Sequence, residues 1–186
     1  MEVETQRFLL MEFIESHRQS FLTYQSDRRY QAAMPFEALV EDPSALFDMF
    51  LIWAAEIPRL RYQLAILERG SSGRLIGCCG LRAIDGSTSQ GELGIELAPD
   101  HWGRYMCAVE VVDALLRFAF DEIGWTSVIG RTTSDNDRVR RLAEWFGAEV
   151  VSPAPPFAST ADGRWSEVVW RITLNRWIRH RPSVRC

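Results

Sequence analysis

The chain has 186 residues, 47% of them apolar, with 21 basic and 25 acidic side chains for a net charge of −4. That describes one ordinary domain with apolar mass enough for a core, and the acid excess argues against a general nucleic-acid binder, which would be basic. No apolar run reaches the roughly 18 residues of a membrane helix, the opening MEVETQRFLL lacks a signal peptide's basic-then-apolar pattern, and Cys78, Cys79, Cys107 and Cys186 form no CxxC pair that would suggest zinc. A cytoplasmic protein with no metal, no nucleic acid and no membrane partner is expected.

In chain order, RFLLMEF (7–13) reads as a first strand, and Ser16 as the cap of a helix reaching about Asp27. MPFEAL (34–39) reads as a loop. A second helix is predicted over 42–57, capped by Ser44, with Leu46, Phe50, Trp53, Ala54 and Ile57 on one face and Pro58 as its stop. Two strands, 61–69 and 74–84, flank the hairpin turn GSSG (70–73). ELGIEL (92–97) alternates: Leu93, Ile95 and Leu97 face one way, Glu92, Gly94 and Glu96 the other. A turn then opens an apolar helix expected from about Ala108 to Ile123. A strand at 126–133 follows, then a helix at 135–147 with Val139, Leu142, Ala143 and Phe146 inward and Gly147 as its stop. A short strand (148–151), a proline-rich loop (152–163), a closing strand (164–174) and a basic tail (175–186) complete the chain. The order β, α, α, β, β, β, α, β, α, β, β predicts a mixed α/β (α+β) fold, a mostly antiparallel sheet covered by helices, in a single domain over 1–174.

Four stretches, TQRFLLMEF, YQLAIL with SGRLIGCCGLR, GELGIELAPDHWG, and SDNDRVRRLAEWFGAEV, resemble in order and spacing the GNAT family of acyl-CoA-dependent N-acetyltransferases. More narrowly they resemble the branch of ribosomal-protein N-terminal acetyltransferases and their relatives acting on small amines. The resemblance covers roughly residues 5 to 174. It implies acetyl-CoA as co-substrate, with splayed middle strands (92–97 and 126–133) holding the pantetheine arm. It places the pyrophosphate on the first amides of the helix after Gly103, where the helix dipole favours an anion. The implied cofactor residues are Leu97, Ala98, Trp102, Gly103, Arg104, Tyr105, Met106, Cys107, Ala108 and Asn136. The acceptor is a primary amine of a small molecule or a peptide N-terminus. It attacks the thioester directly and must be neutral to do so, so a base or water chain takes its proton.

The chain departs from the pattern. Relatives commonly read WGxGYATE where this chain reads WGRYMCAVE, with no glycine after Gly103. Arg104 could reach a phosphate, and the helix amides do not depend on side chains. Val139 and Ala143 stand where some relatives carry a small hydroxyl and a tyrosine acid, and Gly147–Ala148 replaces a Gly–Phe ending. Glu92 and Glu96 are the candidate proton handlers. Glu92 matches an acidic residue frequent in the branch, and Glu96 stands where relatives often have an aromatic. The plain reading of both is exposed strand carboxylates. Asn136 reads equally as a helix cap, His101 as packing, His17 and His180 as solvated. Cys107 sits near a helix N-terminus, which lowers a thiol pKa, but has no histidine partner in sequence. Tyr30, Met34 and Phe36 are candidate cleft-lining residues. The alternative to an acetyltransferase is a binding or regulatory protein that keeps the fold, or the same fold with different chemistry. A monomer or a homodimer through the last strand or tail fits the sequence.

Overall fold

The computed structural model describes residues 1–33, 41–70, 73–84, 87–151 and 166–180, with backbone alone at Tyr105. Met34, Phe36, the loop 152–163 and the end of the basic tail lie outside the described residues. Among the described residues, eight strands are hydrogen-bonded in the order β1-β2-β3-β4-β5-β6-β8-β7. The chain divides into two compact units, Met1–Arg82 with Ile95–Ala114, and Ala83–Gly94 with Leu115–Cys186.

In the first unit, β1 (Glu2–Glu4), β2 (Phe8–Glu12), β3 (Arg61–Glu68) and β4 (Leu75–Ala83) run as an antiparallel meander. β3 and β4 are buried on both faces. Ala65, Leu67, Leu75 and Cys78 join an aromatic cluster with Phe13, Phe21, Tyr24, Tyr30, Phe47 and Phe50, while Leu64, Ile66, Cys79 and Leu81 are 2% exposed or less. That is why the paired cysteines, pointing to opposite faces, are both interior. Several of the cluster rings meet edge to face, as at Phe13–Phe21 (5.6 Å) and Phe21–Tyr24 (5.4 Å), and others are tilted, as at Phe13–Phe50. Most of them come from α1 (Arg18–Gln25), α2 (Arg28–Ala33) and α3 (Pro43–Ala54).

Several local expectations are corrected here. Ser16 caps nothing: it lies inside a 3-10 turn, Glu15–His17, and α1 begins after it. α1 ends at Gln25, and α2 is a separate helix the sequence did not announce. Asp42, not Ser44, caps α3, its carboxylate accepting from the Ser44 and Ala45 amides at 2.9 and 3.1 Å. An ionised cap draws on the helix dipole as well as the hydrogen bond. Ile57 falls beyond the last turn of α3 and is 95% exposed. His17, expected in solvent, is 8% exposed beside Phe13.

β5 (Gln90–Leu97) contributes to both units. In the second unit its first residues pair in parallel with β6 (Ser127–Thr133), Gln90↔Ser127 to Glu92↔Ile129. The ladder is three residue pairs long, although both strands run further. β6 pairs antiparallel along its length with β8 (Glu167–Thr173), which takes β7 (Glu149–Val150) on its other side. α5 (Asp137–Trp145) buries Leu142 and Ala143 and leaves Arg138, Arg140, Arg141 and Glu144 outward, as its periodicity predicts. Gly147 follows it at φ +69°, a left-handed position suited to glycine. The first half of the basic tail is a helix, α6 (Leu174–His180), anchored by Trp177, 2% exposed and 5.4 Å from the Phe120 ring.

Candidate functional site

α4 spans Tyr105–Arg117, so it starts three residues earlier than expected and Arg104 stands at its entry. β5 leads to it through a 3-10 turn, Pro99–His101, and Gly103, whose φ of +80° needs a glycine and whose Cα faces open space. The first amides of any helix lack partners within it. Beside this start lies a depression of about 530 Å³, lined by Arg7, Glu68, Arg69, Arg104, Met106 and Cys107 among others. Arg104 is exposed there. Arg7 is committed to Glu110 and to the Met106 carbonyl, and Arg69 to Thr5 and Glu4. The Arg104 and Cys107 amides donate to the His101 and Arg104 carbonyls at 3.4 and 2.9 Å, so the donors offered to a phosphate are the amides between them, beside a glycine with room above it and an exposed guanidinium. This set fits the pyrophosphate of CoA without the second glycine of the family pattern.

The neighbouring backbone is more occupied. The Leu97 carbonyl accepts from Trp102 Nε1 at 2.7 Å, and the Ala98 amide donates to the Ile76 carbonyl at 2.8 Å. Ala98 therefore has no amide proton to offer a cofactor. Cys107 is 6% exposed, and burial pushes its thiol up despite Arg7 and Arg104 nearby. The helix N-terminus does not activate it. Ala108 is half-buried in the first turn. His101 is packed, 3% exposed, with Glu68 at 3.8 Å; burial pushes its pKa below the ordinary imidazole value.

Also in the first unit, Glu96 is the hub of a polar cluster. Its Oε1 accepts from Tyr24 Oη (2.5 Å), Gln25 Nε2 (2.8 Å) and Cys78 Sγ (3.2 Å), and its Oε2 from Tyr30 Oη (2.5 Å). Tyr24, Gln25, Tyr30 and Cys78 are each 5% exposed or less, whereas Glu96 is half-buried. Burial first, and the neighbouring acidic groups second, push the Tyr24, Tyr30 and Cys78 pKa values up, so all three keep their protons and remain donors. Tyr30 was expected near the site; Tyr24, Gln25 and Cys78 were missed. A signal existed: Phe21, Tyr24 and Gln25 share one stripe of α1, and a buried glutamine requires a partner.

In the second unit, Glu92 lies 3.6 Å from Arg131 Nε, and Arg131 Nη1 is 3.2 Å from Glu167 Oε2. Asn136 caps α5, its Oδ1 accepting from the Val139 amide at 3.2 Å. Among the described residues no cluster of His, Cys, Asp and Glu could hold a metal ion, and no helix is long and apolar enough to cross a membrane.

Comparison with known proteins agrees with this arrangement. The family model for the acetyltransferase (GNAT) domain matches residues 7–149. The uncharacterized N-acetyltransferase YoaA of Bacillus subtilis (strain 168) is 25% identical over 143 residues, 75% of this chain and 78% of that one. Among solved structures, a GNAT-family acetyltransferase of Bacillus anthracis superposes with a TM-score of 0.75 at 17% identity, over 93% of this chain and 98% of that one. A Vibrio cholerae protein provisionally described as a ribosomal-protein-serine acetyltransferase superposes with a TM-score of 0.73 at 17% identity, over 93% and 97%. The chain belongs to the GNAT acetyltransferase family. It is an acyltransferase enzyme, which disfavours the reading of a binding module that merely keeps the fold.

Proposed function

We propose that this enzyme transfers an acetyl group from acetyl-CoA to a primary amine, either of a small molecule or of a peptide N-terminus. The start of α4 carries the reading, since the helix dipole, the amides between Arg104 and Cys107, the open position at Gly103 and the exposed Arg104 suit a pyrophosphate. Gly103, Arg104 and the backbone of Tyr105, Met106, Cys107 and Ala108 hold the pyrophosphate. β5 beyond Glu92, where its ladder with β6 stops, offers backbone groups to the pantetheine arm as far as the second lone pair of the Leu97 carbonyl, with Ala98 and Trp102 alongside as packing surface. Asn136 adds a contact to that arm beyond its capping role. Bound acetyl-CoA supplies the activated thioester carbonyl that the amine attacks.

Glu92 takes the proton of the attacking amine, directly or through water. Arg131, 3.6 Å away, sets a positive charge beside that carboxylate and holds it in place. Glu96 is the second carboxylate of the site. The peptide-terminus option draws support from the Vibrio cholerae neighbour, described as acting on a ribosomal-protein serine. Residues 1–174 are read as one domain with 175–186 as a basic extension, in keeping with the family model's span across both compact units. The unpaired, buried Cys78, Cys79 and Cys107 favour a reducing cytoplasm. The net charge of −4 favours a cationic acceptor over nucleic acid. A monomer or homodimer needing no metal and no membrane completes the proposal.

The test is calorimetric titration with acetyl-CoA and with CoA, followed by an amine screen that reads release of free CoA thiol. Micromolar binding and acceptor-dependent thiol release are expected. Absence of binding up to millimolar concentration overturns the proposal.

A further inference from the structure

The four donors around Glu96 differ in kind from its ordinary surroundings on a sheet. They come from α1, α2 and β4, and all are interior, so the carboxylate is the point at which a buried polar cluster meets solvent. The donors divide unequally. Oε1 receives Tyr24, Gln25 and Cys78, which exceeds its two lone pairs, while among the described residues Oε2 receives Tyr30 alone. The remaining acceptor capacity is therefore on Oε2, next to a hydroxyl oxygen that has itself a lone pair to give. The Tyr24 and Tyr30 rings stand edge to face at 5.5 Å, and Trp102 packs against the same cluster.

The four donors fix the carboxylate in place and orientation. What such a group offers is a fixed negative charge with aromatic rings beside it, the chemistry that recognises an ammonium group. We infer that Glu96 and Tyr30 form the acceptor-recognition subsite, holding a primary ammonium group of the substrate by Glu96 Oε2 and Tyr30 Oη, with Tyr24, Gln25 and Cys78 as positioning residues that keep the carboxylate in place. This rests on the acetyl-transfer reading and deepens it. It assigns the acceptor to the cationic amines, and it separates recognition at Glu96 from proton removal at Glu92. A bound ammonium must lose its proton before attack, so an acceptor with a second amine keeps one nitrogen on Glu96 while the other reacts. An acceptor with one amine leaves Oε2 and gives its proton to water before the neutral nitrogen attacks.

The experiment uses the whole chain labelled with 13C on its tyrosine rings, of which there are four, with assignment by Tyr30→Phe. n-Butylammonium chloride is the probe and n-butanol its neutral control. Butylammonium is expected to shift the Tyr24 and Tyr30 signals saturably, butanol is not, and Glu96→Gln is expected to weaken the response at least tenfold. Equal responses to the two probes, no response at all, or an ammonium response that survives Glu96→Gln overturns the inference. Should Glu96→Gln not fold by circular dichroism, Glu96→Asp keeps the charge but withdraws it by one methylene. A loss of at least threefold is then expected, and undiminished affinity overturns the inference. Titration of the same sample with acetyl-CoA separates the two readings. Cofactor binding without an ammonium response removes this subsite and leaves acetyl transfer standing, while an ammonium response without cofactor binding does the reverse.

Discussion

Arg7 grips Glu110 twice: its backbone amide donates to Oε1 at 2.7 Å and its Nε to Oε2 at 2.6 Å, while Nη2 donates to the Met106 carbonyl at 2.7 Å. The entry to β2 is thereby fastened to the first turns of α4, the same turns that present amides beside Gly103. Burial alone would raise the Glu110 pKa, but hydrogen bonds from Thr5 and Arg7 outweigh it and hold the carboxyl below its usual range. Arg7→Ala removes two of the three bonds and keeps the amide. Because the Arg7 side chain is 44% exposed, the expected loss is modest, about 1 kcal/mol. Urea denaturation measures it. A loss below a few tenths of a kcal/mol would mean that the fastening does not hold this end of α4.

Acidification should weaken the protein before its carboxylates titrate. His17 and His101 are both buried, and burial pushes both pKa values down. His17 Nδ1 also accepts from the Ile14 amide at 3.3 Å, which needs an unprotonated nitrogen. A base with a lowered folded pKa binds its proton more readily when unfolded, so stability is complete above the ordinary imidazole value of about 6.5 and declines below it. Tm should fall by several degrees between pH 7.5 and 5.5, and the slope should flatten in His101→Gln and in His17→Gln. An unchanged slope in both variants would assign the effect to other groups.

Gly77 sits where β4 approaches β5 backbone to backbone. A Cβ built there would lie 2.2 Å from the Glu96 carbonyl oxygen. Neither backbone can yield as a flexible side-chain tip would. Gly77→Ala should cost about 2–4 kcal/mol and displace Glu96 from its donors. Chemical denaturation reads the first effect, and the tyrosine ring signals read the second.

Glu92→Gln removes the assigned proton acceptor without touching the α4 start. Turnover should fall by roughly two orders of magnitude, while CoA binding should be essentially unchanged. Undiminished turnover would pass the base role to another group or to water.

Much of the fold is legible in the residues because its signals are local. The two-residue period of ELGIEL, the turn glycines around the 61–84 hairpin and the three- and four-residue spacing over 137–146 each follow from backbone geometry that neighbours do not alter. The order of these elements gives the mixed α/β class, and the resemblance to the family rests on the four quoted stretches in their order and spacing. Errors gathered where two neighbouring residues could play the same part. Asp42 and Ser44 can both cap a helix, and only the backbone angles choose between them. Tyr105 could belong to a turn or to a helix, because a glycine-poor entry carries no marker for its first residue.

Glu96 shows the other limit. The alternation along β5 set it on the face opposite Leu93, Ile95 and Leu97, and a strand carboxylate on that face reads as exposed. Its donors lie 72, 71, 66 and 18 residues away in sequence. The elements follow from periodicity, which acts over a few residues at a time, and the family resemblance from four stretches of sequence. Whether Glu96 is a solvated carboxylate or an anion held by Tyr24, Gln25, Tyr30 and Cys78 depends on which helix packs over which strand, because hydrogen bonds and burial act through space and leave no mark in the spacing of the chain.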